Sequence, residues 1–356
     1  MTMPPPSDPA STPAPQFLEL LSGALAARRR LFDSDHLRAF RLFNGFTEGC
    51  PQVVIDLYAR TAVLNNYAEP PAEGQPLIAA ARDHLQQQLP WLEAIVLKTR
   101  SDPSIAERNG RLIWGSHPAE KIREQGVWYA VNLTLGQDAT LHLDTRHLRR
   151  WASEHLQRKT MLNAFAYTGS LGVAAKAGGA SRVVQLDRNP RFLDVAKASY
   201  RLNGYAVHAA EFIAADFFRQ AATFRRRDQR FDCVVLDPPF FSSSTSGVVD
   251  QIHASTRLIH KVKPLVAPGG YLVAINNALF VSGAACMETL QAVCSDGYME
   301  IVELIPVPDD FTGYPETRRG APVTDPAPFN HSTKIAVLRS KPEPRHSPTL
   351  DLHARC

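Results

Sequence analysis

Three aspartates stand where short apolar runs end: Asp187 after Arg182–Leu186, Asp216 after Phe212–Ala215, and Asp237 after Phe231–Leu236. An aliphatic run that stops at a carboxylate reads as a buried strand that carries an acceptor at its carboxyl end. At such a position Asp187, with Arg188 next to it, suits the two hydroxyls of a ribose. Asp216 suits an adenine amino group, with Phe217 stacking beside it. The third acid opens Asp237-Pro238-Pro239-Phe240. Two prolines fix the backbone and remove two donors, so the carbonyls point where the fold dictates. Rigid acceptors beside an aromatic ring suit a planar base that presents a ring nitrogen or an amino group. Taken singly, each feature also reads as a solvated strand end or a Pro-Pro turn, and it is their convergence that carries the inference.

The stretch Thr160–Asp187 supplies the frame. Met161–Phe165 predicts a strand, Tyr167-Thr168-Gly169-Ser170 a turn, and Leu171–Ala177 a small-residue helix that stops at Gly178-Gly179. Strand, glycine turn, helix, strand and acid together form a nucleotide-binding half of a doubly wound sheet. Gly169 would let backbone approach a ligand where a side chain would block it. The dinucleotide fingerprint Gly-x-Gly-x-x-Gly is missing, because Tyr167 occupies its first position. A ligand without pyrophosphate, such as S-adenosylmethionine, fits that turn, with Phe165, Tyr167, Thr168 and Gly169 as contacts. A strand-turn-helix that merely folds is the alternative.

The chain has 356 residues, 44% of them hydrophobic, enough for two domains with a sizeable core. A net charge of +4 is compatible with an RNA partner but is not that of a basic-tail nucleic-acid binder. No apolar run is long enough to span a membrane, and no basic stretch precedes an apolar core at the N-terminus. Five scattered cysteines (50, 233, 286, 294 and 356) predict reduced thiols and a cytoplasmic protein. No metal site is expected. His253 and His260 can share a helix face, but such a pair reads as surface decoration.

Residues 1–16 are rich in Pro, Ser, Thr and Ala and read as a disordered tail. A helix over Phe17–Phe32 ends in Arg28-Arg29-Arg30, which reads either as a solvated helix end or as a phosphate contact. Strands at 39–43, 53–58, 62–67, 94–97, 111–114 and 128–133, with a helix at 77–89, predict a small α/β domain over 17–135. Asp144 and Arg146 precede a helix at 147–157. They read equally as a pair lining a cleft and as a surface ion pair. From 160, strands at 161–165, 182–186, 210–214, 231–236, 271–275, 299–305 and 333–339 alternate with helices at 170–177, 190–202, 216–224, 249–266 and 282–295. No helix separates the last two strands. The expected fold class is therefore α/β, a doubly wound, mostly parallel, seven-stranded Rossmann-like sheet with an antiparallel last strand. It occupies 136–340, and 341–356 reads as a polar tail.

These residues resemble the class I S-adenosylmethionine-dependent methyltransferases, and within them the large-subunit ribosomal RNA base methyltransferases. The similar stretches are Leu143-Asp144-Thr145-Arg146, Asn163 to Ser170, Leu186-Asp187, Leu202-Asn203-Gly204, Asp237-Pro238-Pro239-Phe240 and Asn276-Asn277. The resemblance covers roughly residues 30–340. It implies the cofactor contacts above, Asp144 and Arg146 as cleft residues, and a catalytic role for Asp237, Pro238, Pro239, Phe240 and Asn276. Two departures stand out. Members that methylate cytosine C5 usually begin with an RNA-binding barrel, and too few residues precede the first hairpin here. Cytosine C5 also needs a cysteine nucleophile, whereas the strand over 271–275 is followed by Asn276-Asn277, more like the guanine N7 branch. The expectation is thus methylation of a base nitrogen in ribosomal RNA. A methyltransferase acting on a small molecule or protein, or an RNA-binding protein with a vestigial cofactor fold, are the alternatives.

Overall fold

The computed structural model describes residues 14–244, 247–252 and 255–341. The C-terminal part is a seven-stranded sheet in the order 212–214, 182–187, 160–164, 231–236, 266–276, 334–340 and 299–304. The first five strands are parallel, and Lys334–Ser340 runs antiparallel to both of its neighbours. The last strand in sequence is therefore inserted, and Met299–Leu304 forms the edge. The chain leaves the Thr160–Ala164 strand in one direction and returns at Phe231–Leu236 to build in the other. That reversal opens a crevice beyond the strands' carboxyl ends.

Local chemistry starts the helices where expected. Asn189 caps Pro190–Leu202 by accepting from the Arg191 amide at 3.0 Å, with proline at the first helical position. Asp216 caps Phe217–Arg226 through the Arg219 amide, and Ser282 caps Gly283–Cys294 through that of Ala285. Asn203 ends its helix and also ties Trp128 to it, accepting from the Trp128 amide and donating to its carbonyl.

A five-stranded sheet, in the order 39–44, 53–58, 61–66, 94–99 and 111–115, forms the N-terminal part. Helices Ala14–Ala27 and Gln75–Gln88 share an apolar core with it, built on Phe17, Phe43, Leu64 and Leu85. A further core joins Tyr58, Val63 and Val96 to Val173, Ala196 and Tyr200, so apolar packing runs from one sheet to the other.

Several expectations are corrected. The first helix begins at Ala14, inside the stretch read as a tail, and residues 1–13 and 342–356 of the expected tails lie outside the described residues. Arg28 is neither a solvated helix end nor a phosphate contact. It is fully buried and pairs through two nitrogens with Glu48 (2.9 and 3.0 Å), while donating to the carbonyls of Arg41 and Asp310. Of the helix expected over 249–266, only Ser255–Val262 is α-helical; residues 249–250 belong to strand Gly247–Asp250, which pairs with Phe241–Ser244, and Val266 already opens the next strand. The β-branched run at 248–249 favours extended backbone, and buried Val249 anchors it on the main core. His253, one of the two histidines considered above, lies outside the described residues. Among the described residues no helix is long and apolar enough to cross a membrane, and no cluster of three His, Cys, Asp or Glu side chains forms a metal site.

Candidate active site

The crevice holds a cavity of about 610 Å³, within the usual size for a small-molecule pocket. Asp187, Asp216 and Asp237 all line it, although they lie far apart in the chain. Phe165, Tyr167, Arg188 and Phe217 line it, as do Asp144, Pro238, Pro239 and Phe240.

The turn after Thr160–Ala164 is strained. Phe165 has φ +58° and Tyr167 φ +51°, a conformation that costs an L-residue roughly 1–2 kcal/mol each. Asp187 holds it in place. One carboxylate oxygen accepts from the Tyr167 amide and the other from the Asn189 amide, both at 2.8 Å. Burial pushes the Asp187 carboxyl up, opposed by the amides of Asn189, Tyr167 and Arg188. The Phe165 ring lies 4.5 Å from that of Phe217, tilted by 33°, and leaves an aromatic wall on the cavity. His142 packs over Tyr167 with ring centroids 4.8 Å apart.

Burial pushes the Asp237 carboxyl up to about 6; nearby His142 opposes the shift and Asp144 adds to it. Asp144 accepts a hydrogen bond from the Thr333 hydroxyl at 2.9 Å. Gln251 joins the Asp237–Phe240 turn to Asn277. Its Nε2 donates to the Pro238 carbonyl and its Oε1 accepts from the Asn277 amide at 2.8 Å.

Four expected residues stand elsewhere. Asp144 and Arg146 do not orient each other: Arg146 turns to buried Asp310, in both an ion pair and a second hydrogen bond. The Thr168 hydroxyl is buried and donates to the Thr140 carbonyl. Gly169 is needed for packing rather than for ligand approach. Its φ is +72°, and a Cβ there would meet the Cβ of Ala196 at 2.6 Å and the Gln185 amide at 2.9 Å. Asn276 is taken up by Gln251, Ser255 and the Ala278 amide, and it is Asn277 that lines the cavity. Asp138, His142, Phe192 and Thr333, none of them expected, also line the cavity, and Gln251, equally unexpected, holds two of its turns. His142 directly precedes the Leu143–Arg146 stretch, and Thr333 opens the last expected strand. Gln251 carried no signal, because its role rests on contacts between loops.

A doubly wound sheet with a carboxylate-lined cavity at its switch point defines a nucleotide-binding α/β enzyme, and the strained aromatic turn separates it from dinucleotide folds. Residues 84–315 match the family of S-adenosylmethionine-dependent methyltransferases. The chain is 30% identical to the ribosomal RNA large subunit methyltransferase I of Aeromonas salmonicida, over 84% of this chain and 77% of that one. It is 29% identical to the protein of the same name from Aeromonas hydrophila, with the same coverage. A methyltransferase structure solved with S-adenosylhomocysteine superposes with a TM-score of 0.80, at 21% identity, over 93% of this chain and 83% of that one. The chain belongs to the S-adenosylmethionine-dependent methyltransferase family, and S-adenosylmethionine is its methyl donor.

Proposed function

We propose that this chain methylates a nitrogen of a nucleobase in large-subunit ribosomal RNA. The observation that carries the nitrogen target is the composition of the cavity wall. The Asp237-Pro238-Pro239-Phe240 turn and Asn277 face the space that Asp187 and Phe217 also line, and none of its described lining residues is a cysteine. A pyrimidine C5 carbon becomes nucleophilic only after a thiolate adds to the ring. Cys233 is buried inside its strand, and burial pushes its thiol well up. A ring nitrogen already has its lone pair, so positioning suffices. The RNA substrate is the one that the names of the relatives carry.

Bound S-adenosylmethionine supplies an electrophilic methyl group on a sulfonium. The chain's own residues hold and orient. Asp187 offers its remaining lone pairs to the ribose hydroxyls, and the Phe165–Phe217 wall, with Asp216 at the helix start, receives the adenine. Phe240 takes the face of the target base, and the Pro238 and Pro239 carbonyls fix its edge. A ring nitrogen becomes positive as it is alkylated. Asp237, ionised at neutral pH and backed by Asp144, stabilises that charge in a partly desolvated site.

The test is methyl transfer from labelled S-adenosylmethionine to ribosomal RNA of a deletion strain, followed by digestion and mass spectrometry. A nucleoside methylated on a base nitrogen is expected. 5-Methylcytidine would overturn the nitrogen target, and label only in protein or small molecules would overturn the RNA substrate.

A further inference from the structure

A second pocket, of about 290 Å³, lies beside the cavity, between helices Ser255–Val262 and Gly283–Cys294. Pro238 and Ile275 line both spaces and form the wall between them. We infer that this pocket binds the nucleobase adjacent to the target nucleotide in single-stranded RNA. The inference rests on the RNA reading above.

Three observations identify the occupant. Among the described residues no charged side chain lines the pocket; Leu258, Ile259 and Leu290 supply apolar walls, and Asn276 and Thr289, whose own donors are bonded within the protein, leave acceptor oxygens at its edge. That lining fits a neutral planar ring, and none of its described side chains is a cation that would draw a phosphate in. The shared wall means that a base here is one side chain removed from a base in the cavity, a spacing that consecutive nucleotides of one strand can bridge.

The rim is the third observation. Phe280 borders the pocket and is 69% exposed; Phe240 borders the cavity and is 46% exposed. Large apolar side chains left in water around two polar-edged pockets mark an interaction site. Splayed, unstacked bases recover their stacking on such rings. The loop that carries Phe280 is firmly held. Buried Lys334 donates to the carbonyls of Ala278 and Val281, both at 2.9 Å, and to that of Ser332 at 2.6 Å. A buried cation committed to three carbonyls fixes a loop whose side chains at 279 and 280 still face solvent.

The test fills the pocket from its exposed edge with Ala285→Trp and, separately, removes the rim ring with Phe280→Ala. Neither residue lies in the cavity. Melting temperature and Kd for S-adenosylhomocysteine should match wild type, and KM for a ribosomal RNA fragment should rise roughly ten-fold, the scale of one lost base–aromatic stack. An abasic nucleotide on one side of the target should raise KM for wild type but not further for Ala285→Trp. Wild-type KM in both folded variants overturns the inference and leaves the RNA reading intact. A KM unchanged on protein-free RNA but raised on ribosomal particles assigns the pocket to a ribosomal-protein side chain and also overturns it. Failure of the wild-type protein to methylate RNA removes the RNA reading, and the inference with it.

Discussion

Asp187→Asn separates the two tasks given to that carboxylate. The substitution keeps the side-chain shape but replaces one oxygen by an NH2 group. In the folded protein each oxygen already accepts a backbone amide, from Tyr167 on one side and Asn189 on the other, both at 2.8 Å. Whichever way the new amide turns, its NH2 faces an N–H that also donates. One hydrogen bond to a charged acceptor is lost, about 1.5–3 kcal/mol. Part of that is offset, because the buried negative charge goes too. The expected net loss is about 1–2 kcal/mol by urea denaturation at pH 7. Binding suffers separately. A carboxylate offers roughly four lone-pair sites, so those not engaged by the backbone remain for two ribose hydroxyls, whereas asparagine leaves one acceptor. Affinity for S-adenosylhomocysteine, measured by calorimetry on the folded variant, should fall at least ~10-fold, or about 1.4 kcal/mol. Lower stability with unchanged affinity would reduce Asp187 to an anchor of the strained turn and refute its place in the ligand site.

Four further outcomes follow from the structure. Asp237 titrates at about 6 in the folded chain, against roughly 3.9 unfolded. The folded state thus binds more protons in that window, and this group's contribution to stability falls as pH rises through it. Asp237→Asn should flatten that slope and gain on the order of 1 kcal/mol at pH 7, while methyl transfer drops ~100-fold; an active variant would exclude the carboxylate from the chemistry. For the wild type, kcat/KM should decline below about pH 6 as Asp237 takes up a proton. Gln251→Leu cuts the link between the Pro238 carbonyl and the Asn277 amide. It should lower kcat about ten-fold through lost positioning, with cofactor affinity unchanged; equal losses in both would mean general unfolding of the site. Glu48→Gln breaks the buried pair with Arg28 and should cost about 3–5 kcal/mol in urea denaturation, whereas a change below 1 kcal/mol would show that the neutral amide serves Arg28 as well.

Much of this protein was legible in residue order. From Thr160 onward, strands and helices alternate with clear punctuation, because each central strand is buried on both faces and therefore reads as an unbroken apolar run. The caps at Asn189, Asp216 and Ser282 mark helix starts by local hydrogen bonds that need no tertiary partner. The acids at the strand ends and the Pro-Pro turn are equally local, so their arrival at one cavity follows from the sheet topology alone.

Only the folded chain decided the rest, and for a common reason: those features depend on partners distant in sequence or on a single step of register. Arg146 finds Asp310, and Arg28 finds Glu48 and the Asp310 carbonyl, across long separations that no spacing announces. The pairing of strands 241–244 and 247–250 is set by what lies over it, with Gly247 so close to Phe218 that a Cβ would come within 2.7 Å of the ring. Neighbouring residues of a strand point to opposite faces. At the end of Val266–Asn276 that alternation turns Asn276 into the structure and leaves Asn277 to the cavity. Residue order determines which chemistry is available at each strand end, and packing in three dimensions selects which side chain presents it.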